Sequence, residues 1–227
     1  MVTDYTYLHF GPVLYGTSVS LDLCKELLER GEKTKGVRKY RETKTLSTKL
    51  QLQSNYTHED KLWFIENFEP YFVPYFKKLQ DENYYGMRFF NRILLKSMWI
   101  NYMKKDEFNR PHTHSPNFSF CLYLTVPDEI NKEIETFKGT GLGPGTVSFF
   151  YGEDQKGIVT AHGVKPVVGD LWMFPAVLRH MVPPFRSDVT RISISGNFTI
   201  SDDLFKGQPV QPNEFILNNY KENNAKI

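Results

Sequence analysis

The chain has 227 residues, 40 % of them hydrophobic and including 18 Phe and 13 Tyr, which supplies ample material for a buried core and excludes a disordered segment. A formal net charge of +2 singles out no polyanionic partner, and a nucleic-acid partner is not expected. The two cysteines, Cys24 and Cys121, are too few for a disulfide scaffold and point to a reducing compartment, taken as the cytoplasm.

The opening MVTDYTYLHF lacks a basic stretch followed by an apolar one, so no signal peptide is expected. No apolar run reaches about 18 residues, so no membrane-spanning helix is expected either. The Asn-x-Ser/Thr triplets at Asn55, Asn117 and Asn197 then read as chance matches. Ser20 is placed to cap a helix through LDLCKELLER, with Gly31 just past its end. Leu21, Cys24, Leu27 and Leu28 fall on one face of that helix, which makes Cys24 a core filler. The basic stretch 30–49 carries no aromatic platform or glycine cradle and reads as a solvated connection. Thr57 and Asp60 form a capping-box-like start to KLWFIENFEPYFVPYFKKLQ. Pro70 and Pro74 are expected to break or kink that segment into two short helices.

From about residue 87 the pattern changes to strands. Short runs rich in β-branched and aromatic residues (MRFFNRILLKSMWINYM, FSFCLYLTV, TVSFFY, VVGDLWMFP, RISISGNFTI) are separated by turn clusters. The cluster TFKGTGLGPG reads as a flexible hairpin loop, and the loops 127–146 and 152–166 carry no diagnostic chemistry. The expected organisation is one domain over 1–227: a helical part over 1–86, a β core over 87–200 and a tail over 201–227. Strands after helices suggest an antiparallel sandwich or barrel beneath a helical layer.

Side-chain alternation assigns the faces. Ile192 and Ile194 oppose Arg191, Ser193 and Ser195. Phe120, Leu122, Leu124 and Val126 oppose Ser119, Cys121 and Tyr123, while Met98 and Ile100 oppose Trp99 and Asn101. The mixed face suits either water or the floor of a pocket, and parity leaves both open.

The histidines decide between them. His112 and His114 lie one residue apart in FNRPHTHSPNF, and His180 follows GDLWMFPAVLR, with Arg191 eleven residues further on. This ordered set, together with Arg191-x-Ser193, resembles the Fe(II)- and 2-oxoglutarate-dependent oxygenases. Within them it resembles a bacterial and phage group with a His-x-His proximal motif and a prolyl-hydroxylase-like architecture. The likeness runs from about residue 97 to 198. It implies a mainly β fold with α elements: a double-stranded β-helix, or jelly roll, with the N-terminal helices on its outer face. It also implies a dioxygenase, expected to be a hydroxylase, that uses Fe(II), O2 and 2-oxoglutarate and releases succinate and CO2.

The resemblance implies His112, His114 and His180 as metal ligands, with Arg191, Ser193, Tyr123 and Asn101 holding 2-oxoglutarate. Position 114 has His where most of the superfamily has Asp or Glu. Three ligand sets stay open: all three histidines; one of His112 and His114 with His180, the vacant position going to water or a halide; or Asp106 or Glu107 folding back. His162 borders the pocket at most, and His9 and His58 read as ordinary surface residues. The substrate, small molecule or peptide, is not legible. A cupin-type metal jelly roll without 2-oxoglutarate chemistry, or a non-catalytic binding module, remains the alternative.

Overall fold

A computed structural model describes residues 11–41, 50–89, 92–115, 117–139, 143–153, 161–201, 212 and 214–216. Most of the expected tail, His9, and parts of the basic stretch and of the two loops lie outside these residues. The elements in chain order are β1 (Tyr15–Ser18), α1 (Leu21–Glu32), β2 (Gln53–Asn55), α2 (His58–Asp81), β3 (Arg92–Met103), β4 (Asn109–His112), β5 (Phe118–Thr125), α3 (Asp128–Thr136), β6 (Val147–Phe150), β7 (Ala161–Val164), β8 (Asp170–Pro175), β9 (Arg179–Val182), β10 (Arg191–Ser201) and β11 (Glu214–Ile216).

Eight of the strands make two facing antiparallel sheets. The larger has the order β8-β5-β10-β3, extended by β1 beside β8 and by β2 and β11 on β3. The smaller has the order β4-β9-β6-β7. Chain order and spatial order together are those of a double-stranded β-helix.

The outer face of the large sheet carries the helices, as the alternation of β5 and β10 requires. Along α2, Phe64, Phe68, Phe72 and Phe76 recur every four residues, so they form one stripe. Phe64 stacks on Phe120 with centroids 5.2 Å apart, Phe72 lies 5.0 Å from Phe198, and Phe76 meets Phe118 at 5.4 Å. Ile100, Leu122 and Ile194 are buried in the same cluster. A second cluster, including Met103, Phe149, Phe174 and Val182, fills the space associated with the small sheet.

Four local expectations are corrected. Helix α2 is continuous through Pro70 and Pro74. Both prolines and Glu66 are exposed and stand four apart, so the two carbonyls deprived of a donor face water while the aromatic stripe stays seated. Gly31 lies inside α1 rather than beyond it. A Cβ there would stand 2.6 Å from Ile100 Cδ1 and 2.8 Å from the Tyr56 hydroxyl, so glycine lets the helix approach the sheet. Leu21 points to solvent, while Cys24 and Leu27 are buried. Finally, the loop expected over 127–146 contains α3, whose Ile130 and Ile134 pack inward. The thin signal for it was Asp128 and Glu129 in a first turn, with two isoleucines four apart.

The capping box at Thr57 forms as expected, with Asp60 N–H donating to the Thr57 hydroxyl and Thr57 N–H to the Asp60 carboxylate. Asn197 is buried, hydrogen-bonded to Ser119 and Ser97 within the large sheet.

Candidate functional site

His180 is expected just after a strand; it stands within β9, in register with His112 on β4. Both side chains therefore project from neighbouring strands on the inner face of the small sheet. His114 has left the strand, and its N–H donates to the Ala176 carbonyl at 2.7 Å, pinning it to the β8–β9 turn. One ring nitrogen from each of the three histidines lies within 4.8 Å of the others. Nε2 of His114 and Nε2 of His180 are 3.2 Å apart. Two imidazoles bound at right angles to one first-row metal, with bonds of about 2.1 Å, would be separated by about 3 Å.

The tautomers are set by the backbone. Nδ1 of His180 is 2.8 Å from the Leu178 carbonyl, and Nδ1 of His112 is 2.6 Å from the Arg110 carbonyl. Since a carbonyl can only accept, each Nδ1 carries the proton and each Nε2 keeps its lone pair. Burial, reinforced by the neighbouring histidines, pulls His180 down to about 3 and His114 to about 4. His112 is lowered by burial as well. All three are neutral at neutral pH, the form that binds a metal.

Neither acidic candidate joins the histidine cluster. Glu107 is buried, and its carboxylate accepts from Gln51 N–H at 3.0 Å and from Lys104 N–H at 2.8 Å. Asp106 is an exposed turn residue with φ 59. Among the described residues the three histidines form the one His/Cys/Asp/Glu cluster able to hold a metal. His162 is exposed on β7, with its ring 6.4 Å from Trp172.

The pocket beside the histidines is floored by the mixed face of the large sheet. Trp99, Asn101, Cys121, Tyr123, Arg191 and Ser193 all line it. Arg191 is buried, and burial pulls its guanidinium below its usual range. It donates to the Gly145 carbonyl and lies 5.5 Å from the Tyr123 ring centroid. Its Nε has no hydrogen-bond partner, and no carboxylate among the described residues pairs with it. Burial pushes the Tyr123 hydroxyl above its usual range and the Cys121 thiol up to about 12, so both stay protonated. Asn101 is engaged at both ends of its amide, accepting from Gln53 at 2.5 Å and donating to Ser195 at 3.1 Å.

Sequence reasoning missed Gly145, Gln53 and Asn109, which also shape this pocket. Gly145 sits in the glycine cluster expected to be a flexible hairpin. Its φ of +70 is a left-handed conformation that glycine adopts without strain.

These donors suit a divalent metal and a dicarboxylate: three neutral imidazoles converge at one end, and a buried, unpaired cation waits at the other. Residues 97–197 match a family model described as "Putative 2OG-Fe(II) oxygenase". No curated protein matches the chain significantly. Among solved structures, the α-ketoglutarate-dependent epimerase SnoN from nogalamycin biosynthesis is 11% identical, with 82% of this chain and 78% of that one covered and a TM-score of 0.52. A Pseudomonas putida prolyl-4-hydroxylase is 16% identical over 82% of this chain and 91% of its own, with a TM-score of 0.47. A 2OG-Fe(II) oxygenase-family oxidoreductase from Burkholderia pseudomallei is 18% identical, with a TM-score of 0.35. That match covers 48% of this chain, which spans only 46% of the Burkholderia protein. At 11% identity the likeness to SnoN speaks for the fold alone. Residues 97–197 thus resemble that family model, and the strands of this stretch form the core of a double-stranded β-helix.

Proposed function

We propose that this chain is a single-domain Fe(II)- and 2-oxoglutarate-dependent dioxygenase with a three-histidine metal face. The observation that carries this reading is the buried Arg191. An uncompensated guanidinium in a low-dielectric site is costly, and a carboxylate removes that cost. Arginine's planar fork also suits a carboxylate better than a lysine's point charge.

In this reading His112, His114 and His180 hold Fe(II) through Nε2. Arg191 binds the far carboxylate of 2-oxoglutarate, with Ser193 and the protonated Tyr123 hydroxyl as further donors. Asn101, held by Gln53 and Ser195, fixes the floor between the two ends. Bound Fe(II) supplies the redox chemistry by which O2 and 2-oxoglutarate become succinate and CO2, one oxygen atom going to succinate and the other to the substrate. The Fe(II) charge needs no protein carboxylate for compensation, because the 2-oxoglutarate dianion brings two negative charges of its own.

Among the described residues no helix is long and apolar enough to cross a membrane. Two free, protonated cysteines accord with work in the reducing cytoplasm on a small-molecule or peptidyl substrate. The deciding experiment is 2-oxoglutarate titration of the anaerobic Fe(II) protein, followed by admission of O2 and measurement of succinate. Binding and succinate release are expected. Metal binding without any 2-oxoglutarate binding would favour a cupin-type site, for which three imidazoles also suffice.

A further inference from the structure

On the roof of the pocket, the β4 residue Asn109 faces the floor built from the large sheet. Its side chain lines the pocket, and its Oδ1 is buried with no hydrogen-bond partner. The register explains its place. Asn109 pairs with Val182, and His112 with His180, across the same two strands. The residue just past β9, Pro183, accepts a hydrogen bond from Gly145 N–H, and the Gly145 carbonyl holds Arg191. Asn109 therefore lies along the strand pair from His112 and His180 towards Gly145, and it lines the same pocket as Asn101 and Ser193.

A buried amide atom with no partner is expensive, and asparagine is a poor choice for filling space on a strand. The amide's O and N atoms exchange by a half-turn of the side chain, so the same position can present an N–H donor. A ligand stretched from the three imidazoles to Arg191 has to pass beneath it.

We infer that Asn109 is a further cosubstrate-positioning residue: its carboxamide donates a hydrogen bond to the oxoacid lying between the metal face and Arg191. This rests on the cosubstrate reading above and extends it to the roof of the pocket. Asn109 then restrains the cosubstrate from the side opposite Asn101, while its polar group is left unsatisfied in the cosubstrate-free protein.

That trade between binding and stability provides the test. Asn109→Leu keeps nearly the same shape and removes the donor, while Asn109→Ala removes both. The melting temperature of each variant is measured in the metal-free and Mn(II)-loaded states, and again with 2-oxoglutarate added to the Mn(II) protein. Asn109→Leu is expected to melt above wild type without 2-oxoglutarate, yet to bind it about tenfold more weakly, with Mn(II) affinity unchanged. Asn109→Ala should lose at least as much 2-oxoglutarate affinity. A space-filling role makes the opposite forecast: wild-type affinity in Asn109→Leu and a loss only in Asn109→Ala. That result, or a loss of Mn(II) affinity parallel to the loss of 2-oxoglutarate, overturns the assignment. Wild-type protein that binds Mn(II) but never 2-oxoglutarate overturns the cosubstrate reading itself, and this inference with it.

Discussion

The guanidinium of Arg191 donates to the main-chain carbonyl of Gly145, a residue 46 positions away in the chain. One contact thus ties the strand that floors the pocket to the loop that closes its far end. It holds the cation in place but cannot neutralise it, since a carbonyl brings no charge. Replacing Arg191 by Met is expected to retain metal binding and to weaken 2-oxoglutarate binding by roughly 2–4 kcal/mol, the range for loss of a charge-assisted pair. Arg191→Lys should recover only part of this, because a point charge cannot engage both carboxylate oxygens in a planar fork. Titration of the anaerobic Fe(II) proteins measures both; wild-type affinity in the Met variant would sink the assigned role.

Gly145 itself is open to test. Its φ is +70, and a Cβ added there would stand 3.0 Å from Ile130 Cγ2, which leaves little room for a side chain. Gly145→Ala should cost about 1–2 kcal/mol of stability from the left-handed backbone alone. It should also weaken 2-oxoglutarate binding, since the carbonyl that aims Arg191 moves with the loop. Denaturant unfolding and ligand titration on one preparation separate the two effects.

The metal face makes a ranking prediction. His180→Ala is expected to abolish Fe(II) or Mn(II) binding or to weaken it severely, because His180 is buried and aligned by the Leu178 carbonyl. His162→Ala, on an exposed position of β7, should bind metal as wild type does. Metal titration giving the reverse order would show that the ligands have been misassigned.

The same histidines set a pH dependence. Their ordinary value is 6.5, whereas the native site lowers His114 to about 4 and His180 to about 3. Between these limits the unfolded chain binds protons that the native site refuses, so acid favours unfolding. The melting temperature of the metal-free protein should therefore fall as pH drops from 6.5 towards 4 and should not depend on these groups above 6.5. The slope should be shallower in His180→Ala. A melting temperature indifferent to pH across this window in both proteins would mean that the native imidazoles are not desolvated.

At Gly31 two effects compete. Alanine is favoured over glycine in a helix by about 1 kcal/mol, while overpacking a filled core costs about 1–3 kcal/mol. The added methyl would meet Ile100 Cδ1 and the Tyr56 hydroxyl, which donates to the Leu27 carbonyl. Ile100 is fully buried and has little room to yield. Gly31→Ala should lower stability in urea unfolding despite the gain in helix propensity.

What the sequence alone determined was whatever depends on near neighbours. Alternation along 118–125 and 191–195 separated an apolar face, which must pack, from a mixed face, because successive side chains on a strand must point opposite ways. The capping box at Thr57 needed only four residues. Two histidines spaced by one residue, with His180 and Arg191 further on, were enough to suggest the chemistry. Tertiary structure alone decided whatever depends on residues far apart in the chain. It showed that Pro70 and Pro74 leave α2 whole, because the Glu66 and Pro70 carbonyls that they deprive of a donor lie on the helix's exposed side. It engaged the Glu107 carboxylate with the N–H groups of Gln51 and Lys104. It brought Gly145 to Arg191 and Asn109 into the lining of the pocket. The reason is physical: burial and hydrogen-bond partnership are properties of the packed surroundings, and residues from opposite sheets meet only after the two sheets have closed on each other.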